Sequence, residues 1–90
     1  MKNRSFEYFI DPGHGWVKVS KRLLSDLGIA GEITSYSYER GDHAYLEEDC
    51  DMGALYTALR ARGIEPKLRH RYADRNSRIR SYASYQGQPS

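Results

Sequence analysis

The sequence has one cysteine, Cys50, in 90 residues. An intramolecular disulfide is therefore impossible, and a four-cysteine zinc site within one chain is excluded. A single thiol fits a reducing, intracellular setting best. Long apolar runs are also missing. Nothing approaches the roughly twenty residues that a membrane span needs. The opening "MKNRSFEYFIDPGHG" is mixed in character and breaks at Asp11-Pro12, unlike a signal peptide. The expectation is a soluble, cytoplasmic protein with no membrane association. Catalytic signatures are missing too: there is no GxSxG, HExxH or P-loop. Asp11 and His14 in "DPGHGW" have the look of a catalytic loop. A histidine base, however, needs an orienting carboxylate and a nucleophile or water in place. His14, His43, His70, Cys50 and Asp49 stand at no metal-ligand spacing. The sequence therefore points to a non-enzyme with no cofactor and no metal.

What the chain does have is tyrosine, in eight copies against two phenylalanines and one tryptophan. Tyrosine buries its ring while its hydroxyl stays hydrogen-bonded, which suits strands and interfaces. Ninety residues make one small domain with a single core. No repeat, low-complexity segment or linker divides it. Residues 1–85 are expected to form one α+β domain and residues 86–90 a frayed tail.

The element signals run in order. "FEYFI" reads as a strand, "DPGHG" as a turn in which Gly13 and Gly15 allow positive φ, and "WVKV" as a second strand. Ser20 caps a short helix that ends at Gly28, with Val19 and Leu24 placed for a hydrophobic staple. Residues 33–39 alternate and "HAYLE" returns, a hairpin turning at Arg40-Gly41-Asp42. Asp49 or Asp51 caps the main helix, whose stripe is Met52, Leu55, Tyr56 and Leu59. Gly63 and Pro66 stop it. "KLRHRY" and "RIRSYAS" read as two further strands. The predicted fold is β-β-α-β-β-α-β-β: two helices on an antiparallel sheet of about six short strands.

Net charge is only +2, but it is segregated. Residues 39–51 hold six acids and one base; residues 60–80 hold eight bases and two acids. Such a distribution speaks to association rather than to fold. Acids at the start of the main helix and Arg60 and Arg62 at its end complement the macrodipole. One or two acids are enough for that, and the surplus repels itself unless something neutralises it. Asp42, Tyr45, Glu47, Glu48, Asp49 and Asp51 are the candidate contacts for a partner protein. Their carboxylates would pair with arginines that otherwise hold phosphate. Folding of the C-terminal arginines back onto the acids is the internal alternative. In the basic segment, Arg69, Arg71, Arg78 and Arg80 alternate along two consecutive strands. If those strands pair as a hairpin, one face presents four guanidinium groups with Tyr72 and Tyr82 nearby, a nucleic-acid-binding arrangement. A solvated outer sheet face gives the same alternation. Cys50, at the start of the main helix, is expected to be a small packed residue.

Across residues 11–51, "DPGHGWVKVSKRLLSDLGI … YSYERGDHAYLEEDCD" resembles small uncharacterised proteins of bacteriophages and other bacterial mobile elements. That resemblance implies a setting in which short accessory proteins inhibit host defence, anti-CRISPR proteins among them. "VKVSKRLLSDLGIAGEITSYSYERGDHAYLEED" is also similar to the swapped-hairpin DNA-binding domains of the AbrB and MazE type, with Leu27, Gly28, Gly31 and Glu32 on the matching outline. That second likeness implies an interleaved dimer. The expectation is therefore a non-enzymatic phage or mobile-element protein that blocks a host protein or protein–nucleic-acid complex. The alternative is a nucleic-acid-binding regulator. Either is expected as a monomer or homodimer.

Overall fold

In the computed structural model, which describes residues 2–86, the chain starts as a hairpin. Strand β1 (Lys2–Ile10) turns through residues 11–14 into β2 (Gly15–Ser20). The pairing is antiparallel over only three positions, from Tyr8 opposite Val17 to Ile10 opposite Gly15. Neither Gly13 nor Gly15 adopts positive φ; that conformation occurs at Gly28, Gly41 and Gly63. The two turn glycines are needed for close approach instead. A Cβ on Gly13 would lie 2.9 Å from Arg80 Nη2, and one on Gly15 would collide with the Tyr8 phenol.

Helix α1 (Lys21–Asp26) begins where Ser20 Oγ accepts a hydrogen bond from the Leu23 amide at 3.1 Å. It ends at Gly28, in the left-handed region with φ +75°. Residues 30–32 form a 3-10 turn, and β3 is only Tyr38–Arg40, shorter than its predicted 33–39. Strand β4 (His43–Glu47) leads into α2 (Met52–Ala61). On α2, Leu55 and Leu59 are fully buried. Each contributes roughly 1.5–3 kcal/mol of apolar burial.

Two further strands, β5 (Ile64–Tyr72) and β6 (Ala83–Ser84), complete the sheet in the order β5-β1-β2-β4-β3-β6, with β5 parallel to β1 along its whole length, from Lys2 opposite Ile64 to Ile10 opposite Tyr72. The α+β class and six strands agree with expectation, but the sheet is mixed rather than antiparallel. The predicted β5–β6 hairpin does not form. Residues 78–81 are a 3-10 turn, and β6 (Ala83–Ser84) pairs with β3 at the opposite edge. Gln86 is described and donates its amide to Glu39 Oε1 at 3.3 Å; residues 87–90 of the expected tail lie outside the described residues.

Both helices cover one face of the sheet. Their leucines pack with Phe6, Tyr8, Val17, Val19, Ala44 and Leu46. The other face carries a second, aromatic cluster of Trp16, Tyr45 and Ile79, flanked by Phe9, Tyr38 and Tyr82. Residues 73–82 fold over the β1-β2-β4 part of that face and supply Ile79 and Tyr82. The β5 side of it stays open. Among the described residues, no helix is long and apolar enough to cross a membrane.

Candidate functional site

The acidic residues do not make one patch. Asp51 is 1% exposed and faces inward. Its carboxylate accepts from the Thr34 amide, the Thr34 hydroxyl at 2.8 Å and the Ser37 hydroxyl. It stands at the N-cap of α2 but makes no side-chain cap hydrogen bond. Glu47 is 7% exposed and lies beside His14, Nδ1 to Oε2 3.0 Å. Its other oxygen accepts from the Asp49 amide at 2.9 Å. Glu48 is exposed and accepts the Tyr8 hydroxyl at 2.7 Å. That bond, after burial, raises the Tyr8 pKa far above the usual phenol value. Tyr45 is buried in the aromatic cluster, 5.1 Å from the Tyr82 ring. Asp42 is exposed at the β3–β4 turn, at the other end of β4 from Asp49.

The basic residues are also redistributed. Arg80 is not on a strand. It forms a two-pronged pair with buried Asp11, Nε to Oδ2 2.7 Å and Nη2 to Oδ1 2.9 Å. Asp11 also accepts from the amides of Gly13, His14 and Ser77. Arg80 and these amides hold its carboxyl well below the usual range, against the opposing effect of burial. With five donors on it, Asp11 is a structural hub and does not orient the His14 ring. Arg78 is exposed in the 3-10 turn.

Arg69 and Arg71 remain on β5 and exposed, on the sheet face away from the helices. Arg71 pairs with Glu7 there at 3.1 Å. The register puts Lys67, Arg69 and Arg71 in line with Ser5, Glu7 and Phe9 of β1. Lys18 of β2 and Arg40 of β3 sit on the same face, paired opposite and next to the Tyr45 row. Arg40 lies over the Tyr82 ring at 5.2 Å. Arg75 and Arg78 line a hollow of about 390 Å³ with Phe9, Tyr45 and Tyr82. The open half of this face is thus basic with aromatic flanks. It comes from parallel β1–β5 pairing rather than from the expected hairpin.

A second hollow, about 270 Å³, opens at the other end of the aromatic cluster. His14, Trp16, Tyr36, Tyr38, Glu47, Asp49, Cys50 and Arg80 line it. Donor atoms of His14, Glu47 and Asp49 all lie within 4.8 Å of one another, so a ligand set absent from local spacing is assembled by the fold. Its only trace in the sequence is the alternation of "HAYLE". That pattern puts Glu47 on the Tyr45 face, beside Trp16 of the strand that follows His14. Cys50 is exposed rather than packed. Local desolvation, then the hydrogen bond and charge of Glu47, push its thiol pKa up. Comparisons with protein-family models, curated proteins and solved structures return no match to the chain.

Proposed function

We propose that the protein binds nucleic acid through the open, basic face of its sheet. The observation that carries this reading is the row Lys67, Arg69 and Arg71 on β5, in register with β1 and on the face the helices leave bare. Arg40, Arg75 and Arg78 extend the positive charge towards the half-buried rings of Phe9 and Tyr82. Guanidinium groups neutralise phosphates and aromatic rings offer stacking partners, which suits single strands above all. The setting implied by the phage-protein resemblance accommodates such a binder as a regulator or an anti-defence factor.

Binding to short single- and double-stranded DNA and RNA is expected to fall log-linearly with salt. Arg69→Gln with Arg71→Gln is expected to weaken it about tenfold or more, and to flatten the salt slope by about two counterions. Arg22→Gln with Arg60→Gln, on the helix side, leaves it unchanged. Equal losses from both pairs would reduce the effect to net charge and remove the face from consideration.

The second reading is a protein that blocks the basic, nucleic-acid-binding surface of a host defence complex. One observation favours it: Tyr36 is 70% exposed at the rim of the hollow that Asp49 also lines. The same assay separates the two, because an absence of nucleic-acid binding at low salt leaves only this reading standing.

A further inference from the structure

The acids around residue 47 exceed what α2 needs, and the fold leaves part of them unneutralised. Asp51 is satisfied by Thr34 and Ser37, and Glu48 by Tyr8. Glu47 and Asp49 meet across the 270 Å³ hollow with His14. Arg80 is the only other base lining it among the described residues; its hydrogen bonds go to Asp11 and its guanidinium lies over the Trp16 ring at 5.4 Å. The hydrogen-bonded His14–Glu47 pair and the Asp49 carboxylate therefore face one another, and no lysine or arginine pairs with either carboxylate among the described residues.

Their donor atoms are already near coordination distances. Ligands about 2.1 Å from a tetrahedral ion stand about 3.4 Å apart. His14 Nδ1 and Glu47 Oε2 are 3.0 Å apart, joined by a hydrogen bond whose proton an arriving ion displaces, and an Asp49 carboxylate oxygen lies within the same 4.8 Å group. Hydrogen bonds tie down the backbone behind His14 and Glu47. The His14 amide donates to Asp11 at 3.0 Å, and Arg80 clamps Asp11. The Glu47 amide donates to Ser37 Oγ at 2.9 Å, and Glu47 Oε1 accepts from the Asp49 amide. Glu47, whose backbone and second oxygen are already committed, loses little freedom when an ion arrives. A separate observation bears on the same hollow. Trp16 lines it, is 1% exposed, and its Nε1 is the buried side-chain donor with no partner. A buried, unpaired N–H carries a cost and calls for an acceptor, so the wall of the hollow is not fully satisfied as it stands.

We propose that His14 Nδ1 and one carboxylate oxygen each from Glu47 and Asp49 bind a divalent first-row transition-metal ion, with Zn²⁺ the best fit. An imidazole with two carboxylates suits zinc, cobalt and nickel and disfavours the oxygen-seeking Mg²⁺ and Ca²⁺. Three protein ligands leave a coordination position open towards the hollow. The ion also neutralises the surplus acid that the helix leaves uncompensated.

The test is titration of the untagged full chain, freed of metal by chelator, with Zn²⁺, Co²⁺, Mg²⁺ and Ca²⁺. Heat and the emission of Trp16, the sole tryptophan, are followed together. One equivalent of Zn²⁺ or Co²⁺ is expected to bind and to change Trp16 emission, with Mg²⁺ and Ca²⁺ silent. His14→Ala and Asp49→Asn are both at exposed positions, so each is expected to fold. Each is expected to lower affinity about tenfold or more, while His43→Ala and His70→Ala leave it intact. Three results would each overturn the site: no saturable binding, equal binding of Mg²⁺, or full affinity in both the His14→Ala and Asp49→Asn proteins.

Discussion

Asp11 holds together two segments far apart in the chain: the β1–β2 turn and the stretch from the Ser77 amide to the Arg80 guanidinium. Its pKa is lowered, chiefly by Arg80. A carboxylate with a depressed folded pKa stabilises the fold above its unfolded value, near ~4, and loses that contribution as pH falls towards the folded value. Thermal stability is therefore expected to drop on acidification below about pH 4. Asp11→Asn is expected to cost roughly 1.5–3 kcal/mol at neutral pH, the range for a hydrogen bond to a charged group. The variant should lose less than the parent on acidification, so that the two melting curves draw together towards ~pH 2. Curves that stay parallel across that window would show that the charge of Asp11 is not what joins these segments.

At the scale of elements, the loop between α1 and β3 is held by a side chain from the start of α2. Asp51 reaches Thr34 and Ser37; the Ser37 hydroxyl in turn accepts from the Glu47 amide, and the Ser37 carbonyl accepts from the Tyr85 amide. Losing Asp51 leaves the buried Ser37 hydroxyl and the partly covered Thr34 amide and hydroxyl without their acceptor. Asp51→Ala is expected to destabilise by about 2–4 kcal/mol, and Asp49→Ala by less than about 0.5 kcal/mol in chelator-containing buffer. Urea melts of the two variants measure the contrast; equal costs would mean that Asp51 is only a helix cap. These elements also show what sequence makes legible. The Ser20 cap, the left-handed Gly28 and Gly63 and the Leu55–Leu59 stripe are decided within a turn or two of chain, and each is where expected. The partner of β5 is decided by β1, more than sixty residues earlier, and alternation in "KLRHRY" says nothing about which neighbour it meets. Adjacency in sequence suggested residues 78–84, of which Ile79 and Tyr82 instead pack against Trp16 and Tyr45, and Ala83 and Ser84 pair with β3. The hollow was hidden for the same reason. His14 and Glu47 are 33 residues apart and meet only because β2 pairs with β4.

For the whole molecule, the placement of positive charge has a second consequence. Strand β5 is the outermost of the sheet, nine residues long, and offers one unpaired edge to solvent. Such an edge is a template for pairing with another chain unless charge or proline protects it. Pro66 removes one donor near its start, and Lys67, Arg69 and Arg71 follow at alternate positions. The opposite edge, β6, is only two residues long and offers little to pair with. The same three side chains that are assigned to phosphate therefore also keep copies of the chain apart. These roles separate by readout. Replacing Lys67, Arg69 and Arg71 with valine raises β-propensity and removes the repulsion. The variant is expected to associate with rising concentration, above the 10.4 kDa of one chain, in light scattering without nucleic acid present. Replacing them with glutamate keeps an edge of like charges, so that variant is expected to stay as dispersed as the parent while losing nucleic-acid binding. If the valine variant showed no change in mass, the β5 edge would need no charge to protect it, and the row would be left with phosphate as its sole assignment.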